Sequence, residues 1–172
     1  MRAIPHILDK HPDAVILIMG DDSTSYGASS ADGGTWRETM LREVPVDPGR
    51  VHFLGRLPYD RYRSVLQLSR VHVYLTYPFV LSWSVLEAMA TGCVVVGSDT
   101  GPVREVISHG ENGLLTDFFD SRSIAHRVGE ILAEPAAFAD LRKAARQSVI
   151  DSYDLPICLD REQRLLRQLM NA

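Results

Sequence analysis

Ala14-Val-Ile-Leu-Ile-Met19, followed at once by Gly20-Asp21-Asp22, decides the fold class of this chain. The run is short, continuous and rich in β-branched residues, and it stops at a turn signal, the pattern of a strand buried on both faces. Such strands belong to parallel sheets covered by helices. Four later runs repeat the pattern: Val51-His-Phe-Leu54, Val71-His-Val-Tyr-Leu-Thr76, Val94-Val-Val-Gly97 and Gly113-Leu-Leu-Thr116. Apolar residues at helical spacing separate them and predict helices over Thr35–Val44, Tyr59–Leu68, Ser84–Thr91 and Val103–Ser108. Three more helices, over 121–133, 136–150 and 156–169, are expected to close the chain. This alternation predicts an α/β fold: a doubly wound, Rossmann-like parallel sheet of about five strands with helices on both faces and at the C-terminus. Ligands of such a sheet bind just beyond the carboxyl ends of its strands.

At 172 residues and 45% hydrophobic, the chain has enough apolar material for one domain with its own core. Residues 1–172 are therefore read as a single domain, with 151–172 as its C-terminal helix. Charged residues make up 23% and the net charge is −4, so no basic surface points to nucleic acid. Cys93 and Cys158 form no Cys-x-x-Cys and have no neighbouring His pair, which predicts free thiols in a reducing, cytoplasmic setting. No stretch approaches the roughly 20 apolar residues of a membrane span, and nothing in the sequence assigns a membrane contact. The start, Met1-Arg-Ala-Ile-Pro-His-Ile-Leu8, lacks a signal-peptide pattern and reads as the middle of an amphipathic helix. The natural product is expected to begin further upstream. The six histidines form no metal-ligand spacing, and Asp21-Asp22 resembles neither a spaced Asp-x-Asp nor an EF-hand loop. Neither a metal nor a cofactor is expected.

The chemistry concentrates in 75–105. A strand ends at Thr76, a loop passes through Pro78 to Ser82, and a helix follows with Glu87 in its early turns. Free N–H groups at a helix start, with the helix dipole behind them, favour a phosphate or diphosphate. A carboxylate one turn further in can accept hydrogen bonds from a pair of sugar hydroxyls. The same residues also fit a structural reading, since Ser84-Val-Leu-Glu87 has the spacing of a capping box. On spacing alone the cap is the commoner explanation. The long irregular stretch Gly20–Gly34 leaves another strand end and is either a binding loop or a surface insertion, with Tyr26 and Asp22 assigned to the solvated surface.

Several of these segments resemble one family. Leu86-Glu-Ala-Met-Ala-Thr-Gly92, the strand Val94–Gly97, Ser98-Asp99-Thr-Gly-Pro102 leading to Arg104-Glu105, and Gly110-Glu-Asn-Gly-Leu-Leu115 together resemble the C-terminal, donor-binding domain of glycosyltransferase family 4, a large retaining family of the GT-B fold. The resemblance implies that Glu87 binds the ribose hydroxyls of a nucleotide. It also implies that the loop and helix start Phe79, Val80, Leu81, Ser82, Trp83 and Ser84 line the donor. Arg56 and Leu57, in Phe53-Leu-Gly-Arg-Leu-Pro58, would meet the nucleobase through backbone groups and a stacked guanidinium, and Gly20 is counted among the donor-binding residues. Tyr62 is expected in the core.

This sequence departs from the family pattern in two ways. Phe79 stands where the family has a second Glu, and Val80 and Ser82 replace its loop glycines. The family's diphosphate-binding Arg and Lys would precede the first helix of this chain, so Arg2 and Lys10 are not assigned to those roles, and no residue is assigned as catalytic. The implied function is the donor-binding half of a retaining, metal-independent glycosyltransferase. Its partners would be a nucleotide-diphospho-sugar and an N-terminal acceptor domain of the same polypeptide, and copies could associate through an exposed strand edge. Two other readings compete with it: a nucleotide-sugar-binding module without catalysis, and a receiver-like signalling domain. The second needs an aspartate where Thr76 stands and a lysine at a later strand end; the only lysines, Lys10 and Lys143, fall in predicted helices.

Overall fold

The structure is a computed structural model that describes residues 1–22, 27–28, 30–31, 33–77 and 80–171. Phe79 and Tyr26, both singled out above, lie outside the described residues. Helix and strand alternate in the order α1 (Ile4–Lys10), β1 (Ile16–Met19), α2 (Trp36–Glu43), β2 (Val51–Gly55), α3 (Tyr59–Leu68), β3 (Val71–Tyr74), α4 (Trp83–Ala90), β4 (Val94–Ser98), α5 (Gly101–Arg104) and β5 (Leu114–Thr116). A helical tail follows: α6 (Ser121–Ala133), a 3-10 turn at Pro135–Phe138, α7 (Ala139–Tyr153) and α8 (Leu155–Met170).

Among the described residues the three strand pairings are all parallel. The hydrogen-bonded order is β2-β1 in one set and β3-β4-β5 in another, so the five expected strands form two parallel sets. Neither the second edge of β1 nor that of β3 is hydrogen-bonded to another strand among the described residues. The helix α1 joins the two sets physically. Its Ile7 packs with Val94, Val96 and Leu114 of the three-stranded set, while its Ile4 and Leu8 pack with Val51 of the two-stranded one.

The central strand β4 is buried along its whole length and shows why the two faces need different helices. Val94 and Val96 face α1 and α6, whereas Val95 faces α3 and α4, as the period-two alternation of a strand requires. Gly97 lies where a Cβ would come within 2.8 Å of Val103 and 3.3 Å of Ile107, so the absence of a side chain lets the α5 segment sit directly on the strand.

The bounds of α5 and α4 differ from expectation in ways that matter for the site. The helix expected over Val103–Ser108 is a short turn at Gly101–Arg104, because Pro102 presets its start and Asn112 takes the Ser108 N–H at 2.8 Å, closing it early. The helix expected from Ser84 begins at Trp83 and is capped by Ser82, so Glu87 is not its N3 residue and the proposed capping box does not form. A true capping box stands elsewhere, between Thr35 and Glu38 at the start of α2. At its other end α4 is held by α7: Arg142 donates to the Gly92 carbonyl at 2.6 Å and Arg146 to that of Ala90. These cations satisfy the carbonyls that a helix C-terminus leaves unpaired.

Candidate functional site

Among the described candidates, Gly20 follows the carboxyl end of β1, Arg56 and Leu57 follow that of β2, and Val80–Ser84 lie in the chain leaving β3. At β3, Ser98 closes a two-way clamp, accepting from the Thr76 N–H at 3.0 Å and donating to the Thr76 carbonyl at 2.8 Å. Chain leaving the clamp reaches Val80 and Trp83, both mostly exposed, with Leu81 half-buried against the core. The Ser82 N–H donates to the Tyr74 phenol oxygen at 2.8 Å, which fixes the cap residue of α4 over its own strand. The Ser82 hydroxyl takes the Ser84 N–H at a long 3.4 Å, so the first turn of α4 is only weakly satisfied from within the chain. Such a turn is a suitable place for an anion.

Glu87 sits one turn further along α4, a helix that packs against α3, and is half-buried. Its carboxylate bears on two phenols of that helix. Glu87 is the largest cause that holds the Tyr59 phenol above its ordinary pKa. Burial, followed by Glu87, pushes that of Tyr62 higher still. The Tyr62 oxygen is shut off from solvent and makes no formed hydrogen bond, while its ring packs against the core as expected.

Arg56 and Leu57 lie in the turn between β2 and α3, with Pro58 between them and Tyr59. The Arg56 side chain is 84% exposed and its guanidinium stands 4.0 Å from the Asp21 carboxylate at the end of β1. Gly20 donates to the Gly55 carbonyl at 3.0 Å, which brings the mouth of the long loop beside Arg56. Gly20 and Gly55 have φ of 134° and 64°, values that favour glycine. Asp22 pairs with Arg37 at 3.0 Å, and Arg37 lies over the Phe53 ring, so this acid is engaged at the surface.

Two features of this edge were missed from sequence. Tyr59 and Tyr62 come close enough to Glu87 for its charge to raise their pKa values because α3 packs on α4, and periodicity gives no hint of that. An exposed aromatic group, Tyr77 with Phe118 and Phe119, joins the ends of β3 and β5 with ring centroids 4.9–5.4 Å apart. These residues lie in loops, where spacing carries no signal. Just beyond β4, Arg104 binds the Asp99 carboxylate through two nitrogens at 2.5 and 2.8 Å, and that contact holds Asp99 below its usual pKa. A concavity of about 570 Å³, lined by Arg37, Leu41, Val46 and Phe53 among others, lies between α2 and β2 and includes none of the candidates.

The chain is similar to proteins already named and to structures already solved. N-acetyl-alpha-D-glucosaminyl L-malate synthase of Bacillus anthracis is 30% identical over 104 residues, covering 60% of this chain and 27% of that protein. D-inositol 3-phosphate glycosyltransferase of Corynebacterium jeikeium is 27% identical over 78% of this chain and 31% of its own length. The chain thus spans about a third of the length of these curated relatives. Among solved structures, Anabaena HepE in complex with UDP superposes with a TM-score of 0.79 at 21% identity, over 99% of this chain and 44% of that one. The C-terminal domain of the group 1 glycosyl transferase LpcC of Francisella tularensis gives a TM-score of 0.72 at 20% identity, over 90% of this chain and 77% of that one. At these identities the likeness is one of fold, and the fold is that of GT-B glycosyltransferases. The sequence model of the family described as "Glycosyl transferases group 1" matches residues 1–148, and the chain belongs to that family.

Proposed function

We propose that this chain is the donor-binding half of a retaining, metal-independent glycosyltransferase, which holds a nucleotide-diphospho-sugar while a facing N-terminal domain of the same polypeptide presents the acceptor. The observation that carries the reading is Glu87. A half-buried carboxylate at the carboxyl edge of the sheet, not engaged as a helix cap, is suited to accept hydrogen bonds from a ribose diol. The weakly satisfied first turn of α4, from Ser82 to Ser84, would face the diphosphate. Val80, Leu81 and Trp83 would wall it, and Arg56, Leu57 and Gly20 would meet the base. Phe79, outside the described residues, belongs to the same proposed loop. Amides at a helix start, supplemented by cationic side chains, can stabilise a leaving diphosphate without a metal ion.

Family membership supports the reaction class, and the UDP named for the Anabaena structure supports uridine diphosphate as the first probe. The test is calorimetric titration of UDP and GDP against the wild-type chain and Glu87→Gln, with thermal melts alongside. A charge-assisted hydrogen bond is worth about 1.5–3 kcal/mol, so the variant should bind roughly tenfold more weakly or worse. Affinity unchanged by the substitution, or wild-type chain that binds neither nucleotide, would remove the reading. The chain alone should turn over no sugar nucleotide, because the facing domain supplies the acceptor. Sustained turnover would show that the site is complete without it.

A further inference from the structure

Tyr77 leaves β3, and Phe118 and Phe119 leave β5, with β4 between those two strands in the sheet. Strands on either side of a third lie about 10 Å apart. The Tyr77 ring centroid is nevertheless only 5.4 Å from that of Phe118 and 5.1 Å from that of Phe119. The three rings therefore lean together across the end of β4. Phe118 and Phe119 meet edge to face at 4.9 Å, with their planes at 78°. The chain beneath them is fixed on both sides. Thr76, just before Tyr77, is held in the Ser98 clamp, and the Asp117 carboxylate accepts the Phe119 N–H at 2.7 Å. Rings serving only as core would be buried, yet Tyr77 is 58% and Phe119 72% exposed. Rings that are already ordered lose little further freedom when a ligand stacks on them. Next to them, at the end of β4, Asp99 and Arg104 form their two-pronged ion pair with both side chains partly exposed. The Asp99 N–H donates to the Thr116 carbonyl at 2.8 Å, which ties that pair to the end of β5.

We propose that Tyr77 and Phe119, backed by Phe118, form a stacking platform for a pyranose ring, and that this ring is the sugar carried by the nucleotide donor. The platform rests on the donor-binding reading above and deepens it by assigning the sugar end of the ligand. Its place in the fold is one support. The proposed base contacts stand before α3, the proposed ribose and diphosphate contacts stand on α4, which packs on α3, and the rings stand where the chain entering α4 meets the end of β5. A nucleotide-diphospho-sugar is a string of those same parts in that order. Its chemistry is the other support. A pyranose has a face of C–H bonds rimmed by hydroxyls; the C–H bonds carry partial positive charge and favour the negative face of an aromatic ring. The hydroxyls need donors and acceptors, which the Arg104 guanidinium and the Asp99 carboxylate supply beside the rings. A wholly apolar partner seated here would strip water from that ion pair and return nothing.

The test titrates UDP, UDP-glucose, UDP-galactose and UDP-N-acetylglucosamine against the full chain, as wild type, Phe119→Ala and Phe119→Leu. At least one sugar nucleotide should bind wild type severalfold more tightly than UDP. Phe119→Ala should erase that margin while leaving UDP itself unaffected, and Phe119→Leu, which keeps apolar area but no ring, should erase most of it. Tyr77→Ala repeats the measurement from the β3 side. Phe119 is mostly exposed, so its variants should melt near wild type. A margin that is absent, or that Phe119→Ala leaves intact, overturns the platform for a donor sugar; with UDP still bound, the donor reading survives that failure. Chain that binds no nucleotide sinks the donor reading instead, and saturation-transfer NMR with methyl glucoside then decides. Transfer that Phe119→Ala abolishes would assign the rings to a sugar of the acceptor, and no transfer would overturn the platform altogether.

Discussion

The Tyr74 phenol oxygen accepts the Ser82 N–H at 2.8 Å, and through this one bond β3 fixes where α4 begins. Tyr74 is buried and Ser82 is exposed, so the strand supplies the rigid partner and the loop is the part restrained. Tyr74→Phe removes the acceptor while keeping the ring. It should cost about 1 kcal/mol of stability and weaken UDP binding by loosening the first turn of α4. Urea unfolding and UDP titration of the same variant check both, and a stability loss with unaltered affinity would separate α4 from the nucleotide.

Gly97 tests the seat of α5. A methyl group there meets Val103 at 2.8 Å and Ile107 at 3.3 Å, both buried with no room to retreat. Gly97→Ala should destabilise the chain by about 1–3 kcal/mol. Gly101, at the start of the same turn, has open space at the Cβ position, so Gly101→Ala should fall within about 0.5 kcal/mol of wild type. Equal melting temperatures for the two variants would contradict the packing described for Gly97.

His72 gives the chain a pH dependence of known sign. Burial lowers its pKa from 6.5 to about 4, so the unfolded chain binds the proton more tightly than the folded one. Its contribution is fully present above pH 6.5 and is lost as pH falls from there toward about 4, by up to about 3 kcal/mol. Chemical unfolding across that interval should show wild-type stability falling while His72→Gln follows a flatter line. Parallel lines would mean that the imidazole is hydrated in the folded chain.

The unpaired edges of β1 and β3 predict how the isolated chain behaves in solution. Leu17 on β1 and Val73 on β3 are 38% and 40% exposed, and Val15 and Leu75 beside them are also exposed. Open strand edges carrying apolar side chains favour association. Sedimentation over a range of concentrations should reveal self-association that Leu17→Lys and Val73→Lys diminish. A strict monomer at every concentration would show those edges to be inert in the isolated chain.

The sequence by itself determined the order and kind of the elements. Val94-Val-Val-Gly97 is continuous and β-branched, and the structure buries all of Val94–Ser98, because a strand covered on both faces must be apolar throughout. Tyr59–Leu68 was legible to the residue, and Ser121–Ala133 nearly as plainly, because helical spacing is a local property. The start of α4 was not legible. Ser82 and Ser84 are both good caps, and the choice between them falls to Tyr74, which holds the Ser82 N–H from another element. The division of the strands into β2-β1 and β3-β4-β5 was equally hidden, since pairing between strands that do not follow one another depends on how the helices stack. The approach of Tyr59 and Tyr62 to Glu87 was decided only by tertiary structure. A carboxylate and two phenols have no preference for one another along the chain, and they come close because the apolar faces of α3 and α4 bury each other and carry the polar groups along.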